Sequence, residues 1–200
     1  MAPVGLDLEA MNLNFAEVDR KQLKEKYGYQ PLDKILLFVG RLTEEKRPLQ
    51  VIRLFARLFQ SHSEYRLLMV GSGKLKETVL AERNKYGLQE VAYLMEEVPN
   101  DKIWEIYRLS DVFVNLNPDE IFGMAILEAM YYGCKVVAWH APGPDFIIEE
   151  GKSGYLIGSE AEALEAIEEK THTGEAAHRR IVQKFTWNYT ADIIKELAGD

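Results

Sequence analysis

Short apolar runs rich in β-formers alternate with segments of helical periodicity along most of this chain. KILLFVG (34–40), RLLMVG (66–71), VAYLM (91–95), DVFVNL (111–116), KVVAW (135–139) and GYLI (154–157) read as six strands. Between the first two, PLQVIRLFARLFQ (48–60) carries apolar residues at 49, 52, 55, 56 and 59, the period of a helix with one buried face, and Pro48 suits the first helical position. KLKETVLAERNKYG (74–87) reads as a helix ended by a glycine, and Asn100 as the cap of a helix reaching Leu109. A helix falls within 123–132, and Ser159 with Glu162 forms a capping box for a helix after GYLI. Two more helical segments lie near 175–184 and 188–198. Residues 1–30 read as a lead-in, a loop and then a short helix near 17–27, ahead of a domain over 31–200.

Strands this uniformly apolar are covered on both faces, and their alternation with helices makes them parallel. The predicted fold is therefore α/β, a doubly wound parallel sheet of Rossmann-like type. Ligands in such sheets bind at the carboxyl ends of the strands, where the strand order reverses. Every polar motif below falls just after a strand.

Composition narrows the classes. At 200 residues and 47% hydrophobic, the chain can bury a core without staples. A net charge of -8 argues against a broad nucleic-acid surface while leaving room for a local phosphate site. A single cysteine, Cys134, forms no internal disulfide, so a reducing, cytoplasmic setting is expected. The apolar runs are too short to span a bilayer.

Three loops hold the candidate chemistry. In GRLTEEKRP (40–48), Gly40 permits a tight turn, and Arg41 and Lys46 precede a helix. An anion there would meet a forked guanidinium, an ammonium and a helix N-terminus; the alternative is a solvated basic loop paired with Glu44 and Glu45. The segment is not a Walker loop, since Gly-Lys-Ser/Thr is absent. In VGSGK (70–74), Gly71 and Gly73 either let backbone approach a ligand or simply make a turn. In DEIFGMAILEAM (119–130), Glu120 and Glu128 stand with seven residues between them. Eight positions along a helix are near two turns, so both acids could reach one ligand, with the N–H groups of Phe122, Gly123 and Met124 free at the helix start. The alternative is that Glu128 satisfies a buried partner. There is no Asp-x-Asp and no His/Cys cluster of metal-ligand spacing. His140 follows a strand and could approach a cleft, whereas His62, His172 and His178 read as surface residues, Cys134 as a buried small group, and Phe185 and Trp187 as packing anchors.

The ordered set GRLxxxK, GxG, E-x-F-G-x-x-x-x-E-A-M and VVA resembles the donor-binding half of retaining glycosyltransferases with the two-Rossmann-domain (GT-B) fold, the large group 1 family (family 4). The likeness runs from about Pro3 to about Leu197. It implies transfer of a sugar from a nucleotide diphosphate sugar, with retention, to a growing surface polysaccharide or a lipid-linked glycan. It implies that Arg41 and Lys46 hold the diphosphate, Glu120 meets the transferred sugar, and Phe122, Gly123 and Met124 bind sugar and phosphate through their amides. Glu128 would accept from the ribose hydroxyls, Leu94 and Met95 would meet the base, and Gly40, Gly71 and Gly73 would line the floor. The donor would be a UDP-sugar ahead of GDP-mannose, bound without a metal. The acceptor would sit on an N-terminal domain absent here, so the chain would be inactive alone and any membrane contact would be peripheral, through that domain. The competing readings are a nucleotide-binding module without catalysis and another GT-B enzyme such as a sugar-nucleotide epimerase. Ile121, Lys135, Asp145 and Arg47 depart from residues the family favours, which are glycine, proline, glutamate and glycine in turn.

Overall fold

The computed structural model describes residues 5–11 and 19–198. Six strands form one parallel sheet: β1 (Lys34–Val39), β2 (Tyr65–Val70), β3 (Ala92–Met95), β4 (Val112–Asn115), β5 (Lys135–Trp139) and β6 (Tyr155–Ile157). Their order is β3-β2-β1-β4-β5-β6, so the chain winds outward from β1 in one direction and then restarts at β4 on its other side. That restart is the switch point where a doubly wound sheet opens a crevice. The α/β architecture expected from the alternating pattern is thus the one observed.

The helices are α1 (Leu8–Met11), α2 (Arg20–Lys26), α3 (Pro48–Ser61), α4 (Lys76–Lys85), α5 (Ile103–Leu109), α6 (Met124–Tyr131), α7 (Pro142–Ile147), α8 (Glu160–Glu168), α9 (Gly174–Lys184) and α10 (Trp187–Ala198). Strand side chains alternate between two cores. Ile35, Leu37 and Phe113 face one that α2, α5, α6 and α9 cover; Leu36, Phe38 and Val114 face the other, under α3, α4 and α8. Central strands buried on both faces explain why their sequences show no polar alternation.

Several boundaries differ from expectation. Asn100 caps nothing: residues 100–102 form a turn, the N–H groups of Lys102 and Ile103 both reach the Pro99 carbonyl, and α5 starts only at Ile103. Helix α7 was not foreseen, although Pro142 in its first turn, after extended Ala141, is a start signal. The lead-in helix appears as α2 from Arg20; positions 17 and 18, like Pro3, lie outside the described residues. It docks through buried Leu23 and through cations: Arg20 donates to the Leu109 and Ser110 carbonyls, and Lys24 bonds Asp33 O and Asp111. Half of the capping box holds: Glu162 N donates to Ser159 Oγ at 3.2 Å, while the Glu162 carboxylate accepts from Ser159 Oγ at 3.0 Å and from Gly158 N at 2.8 Å.

Leu37 is wholly buried and Leu32 is 87% exposed. Leu37→Ala should cost about 2–5 kcal/mol of unfolding free energy and Leu32→Ala within about 0.5. Urea denaturation of the two variants checks this; equal losses would contradict the two-core arrangement.

Candidate functional site

The loops after β1, β2, β4 and β5 gather at one end of the sheet. After β1, residues Glu44–Lys46 form a single 3₁₀ turn, and Arg47 takes φ 51°, ψ 44° before α3 begins at Pro48. Arg47 is the one non-glycine with positive φ among the described residues. This left-handed conformation is one that glycine adopts freely, a conformational reason for the glycine that the family resemblance leads one to expect at this position. The Arg47 guanidinium lies 5.2 Å from the Trp139 ring centre, and Lys46 is turned into the crevice.

There Lys46 Nζ meets Glu120 Oε2 at 2.5 Å. The two come from loops on either side of the switch point, 74 positions apart in the chain. Glu120 Oε2 also accepts from Asn115 Nδ2 at 3.1 Å and Asn117 Nδ2 at 3.3 Å, and Oε1 lies 3.4 Å from the Gly123 N–H. Burial pushes the Glu120 carboxyl upward, but the donors, Lys46 first, outweigh it and hold it below its ordinary value. The pair therefore adds stability above the unfolded-state value and loses it as pH falls through the folded one. Arg41 stands apart from this pair: its side chain is 74% exposed and its ion pair is with Glu45, at 3.7 Å.

Gly71 and Gly73 have a structural duty. With φ 142° and 153°, they let the loop after β2 lie on the loop after β1. A Cβ on Gly71 would stand 2.0 Å from Gly40 O, and one on Gly73 2.6 Å from Leu42 O. Leu42 N donates to Ser72 O and Leu75 N to Leu42 O. The turn alternative thus accounts for both glycines without a ligand. Gly40 itself is roomy, with its nearest would-be neighbour at 3.5 Å.

One acid precedes the helix and the other lies within it, so the two-turn spacing does not apply along a single helix. Helix α6 starts at Met124, so Glu120 precedes it in a loop and only Glu128 is helical. Gly123, at φ 65°, begins the helix, and its carbonyl takes the first bonds, from Ile126 and Leu127. Amides ahead of these have no intrahelical acceptor and face the same end of the sheet as Lys46. Phe122 and Met124 expose their side chains. Glu128 accepts from Tyr107 Oη at 2.6 Å, and burial raises its carboxyl above the ordinary value despite that bond. This bond is the satisfied-partner alternative for Glu128. Tyr107 is itself buried and stacked on Tyr132, and burial together with Glu128 holds its phenol in the protonated, donating form.

Leu94 and Met95 end β3, but their side chains go to opposite faces, Leu94 into one core and Met95 into the other. The two side chains thus point to opposite faces of the sheet, and the Met95 carbonyl accepts from Gly71 N. His140 is exposed beyond β5 and pairs with Asp145 at 2.8 Å. His172 is exposed as expected, but His62 and His178 are partly buried, His62 beside Glu168 and His178 on the Tyr131 carbonyl. Cys134 is buried, and that burial pushes its thiol up to about 12. Phe185 is buried, whereas Trp187 is 63% exposed and anchors nothing by burial. Lys135 bonds the carbonyls of Ala166, Ile167 and Glu169, closing the C-terminus of α8, a task no proline could perform. Ile121 is exposed, and its carbonyl backs onto Gly143 in α7.

A cavity of about 550 Å³ lies at the opposite end of the sheet, beside Lys34, Asp111 and Lys135. Three of its basic residues are engaged within the fold, Lys34 by Glu64, Arg20 by Asp111 and Lys135 by α8, while Lys170 and His172 stand exposed at its edge. Among the described residues no group of three His, Cys, Asp or Glu side chains could hold a metal, and no helix is long and apolar enough to cross a membrane.

Fold and loops together define an α/β domain whose polar groups converge on one switch point. Residues 19–184 match the family of glycosyl transferases group 1, and the chain belongs to that family. It is 29% identical over 177 residues to N-acetyl-alpha-D-glucosaminyl L-malate synthase of Bacillus anthracis, an alignment covering 84% of this chain and 45% of that protein. The chain spans about half the length of the curated relatives it matches. Among solved structures, the C-terminal domain of a group 1 family glycosyl transferase from Francisella tularensis superposes with TM-score 0.77 at 19% identity, over 92% of this chain and all of that one. HepE of Anabaena, solved with UDP and glucose, gives TM-score 0.77 at 21% identity, over 98% of this chain and 56% of that one.

Two outcomes follow from this geometry. Gly71→Ala should destabilise by more than about 1 kcal/mol while Gly40→Ala stays near neutral, as read by thermal unfolding. Glu128→Gln should be more stable than the parent at pH 7, with the difference shrinking as pH falls from the carboxyl's raised folded-state value towards its unfolded-state value and lost below that. The sign follows from the raised folded-state value: the parent gives up stability as pH rises through it, and glutamine does not titrate. Urea titrations of both proteins at pH 7 and pH 3.5 decide this, and a pH-independent difference would refute it.

Proposed function

We propose that this chain binds the nucleotide-sugar donor of a glycosyltransferase that passes a hexosyl group, with retention, to a glycan or lipid-linked acceptor held by a separate N-terminal domain. The observation that carries the reading is the meeting of Lys46 and Glu120 across the β1–β4 switch point. Breaking the bond between a sugar and a diphosphate builds positive charge on the sugar and negative charge on the leaving group. A site for that reaction needs donors fixed at the phosphates and an acid at the sugar.

In this reading Lys46 and Arg41 receive the diphosphate, aided by the amides that open α6. A helix N-terminus favours an anion by about 0.3–1 kcal/mol. Lys46 exchanges part of its bond with Glu120 for a phosphate oxygen, and Glu120 turns to the sugar hydroxyls. Glu128 takes the ribose hydroxyls, keeping Tyr107 as its donor. The base lies against backbone at the end of β3. The UDP found with HepE supports a uridine donor. The fixed cations do the work of a metal, so binding needs none. Because the acceptor is held elsewhere, this chain alone binds donor but transfers little.

Calorimetric titration with UDP, GDP and ADP, with and without EDTA, tests the reading. The expectation is one preferred nucleotide, unaffected by EDTA, with affinity reduced tenfold or more in Arg41→Ala, Lys46→Ala and Glu128→Ala; tenfold is about 1.4 kcal/mol. A folded chain that binds none of the three would overturn it.

A further inference from the structure

We infer that Asn115 and Asn117 are positioning residues for Glu120, two neutral donors that keep its carboxylate ionised and aimed once Lys46 turns to the diphosphate. The inference rests on the donor-site reading above. Asn115 closes a strand, VFVN, whose other members are apolar, and both amides are buried, at 9% and 5% exposure. Buried amides are costly unless bonded, and asparagine is poorly suited to the strand that Asn115 closes, so apolar packing calls for neither Asn115 nor the loop residue Asn117.

Their bonds show what they do. Asn115 Oδ1 accepts from Asn117 N at 2.9 Å, and Asn117 Oδ1 accepts from Asp119 N at 3.0 Å. Each side-chain oxygen is thus committed to a backbone N–H two residues on, which settles which side of the amide is oxygen. Both Nδ2 groups are left pointing at Glu120 Oε2, at 3.1 and 3.3 Å. The turns themselves need only an oxygen, which serine or threonine supplies. What asparagine adds is the second donor, and in both cases that donor goes to the same carboxylate atom.

The charged side chain facing Glu120 is Lys46, and a diphosphate would draw it away. A half-buried carboxylate that loses its only cation tends to take up a proton or swing out. A second cation in place of the asparagines would itself compete for the phosphate. Neutral amide donors stabilise the carboxylate without doing so.

The test uses Asn115→Thr with Asn117→Ser, which keeps an oxygen for each turn but sets it back from Glu120; the single Asn117→Ser variant serves if the double one folds poorly. By calorimetry, affinity for UDP should stay within twofold of the parent, while the affinity for UDP-glucose or UDP-N-acetylglucosamine relative to UDP should fall about tenfold. Equal losses for UDP and its sugars would mark a merely structural role and overturn the proposal, as would no loss at all.

A second arm needs no ligand. In a Lys46→Met background, which stands in for the withdrawn cation, carboxyl 13C NMR of Glu120, assigned with Glu120→Gln, should show titration rising by about one pH unit when the asparagines are replaced. No change there would refute the clamp. If no nucleotide binds even the parent chain, the donor reading fails and this arm still decides the inference.

Discussion

The arrangement of this site depends on one ion pair, Lys46 with Glu120, that spans the seam where the sheet changes direction. A lysine 74 positions before its acid can reach it only if β1 and β4 are neighbours and both loops leave the same end of the sheet. The pair is held at half-burial, where a charge–charge contact is stronger than at the surface and neither partner is locked in dry interior. That balance suits a site whose cation would, on the proposed reading, change partners. A fully buried pair would resist separation, and a fully exposed one would not hold Glu120 in place.

The loops around the pair are shaped by backbone constraints more than by side-chain chemistry. Gly71 and Gly73 leave room for the carbonyls of Gly40 and Leu42, and their packing fixes the loop from which Lys46 extends. Arg47 then spends strain at φ 51° to turn the chain from the 3₁₀ turn into α3. Of order 1 kcal/mol is the usual cost of a non-glycine residue there, and its contact with Trp139 offsets part of it. The glycines that look most like ligand contacts in a sequence are, in the free protein, contacts between two strands' loops.

Much of the fold was legible because the six strands are covered on both faces and therefore nearly uniformly apolar, with helices of clear period between them. Helix α7 escaped because PGPDFI holds two prolines and a glycine in six residues, a composition that reads as loop; only Pro142 at its start pointed the other way. Asn100 misled because Pro99, not a side chain, accepts the first N–H groups before α5. At the site, residue types and loop positions were readable, but partners were not. The order of the strands, which brings Lys46 to Glu120, is a tertiary fact. Asn115 and Asn117 gave no signal, since an asparagine beside a proline after a strand reads as an ordinary turn.

The two acids of the opening motif show how the same residue type is set to different tasks by its surroundings. Glu120 sits among donors, and its carboxyl is held below the ordinary value; Glu128 sits in apolar surroundings with one phenol donor, and its carboxyl is raised. The first is therefore already a fixed negative charge, suited to a partner that becomes positive. The second is destabilised as an anion until something supplies further donors, which vicinal hydroxyls would do. Burial with few donors makes the ionised Glu128 a weak point of the fold, and on the proposed reading a ribose would fill the same deficit. A stability cost and, on the proposed reading, a binding gain at this position are two consequences of one buried carboxylate with Tyr107 as its side-chain donor.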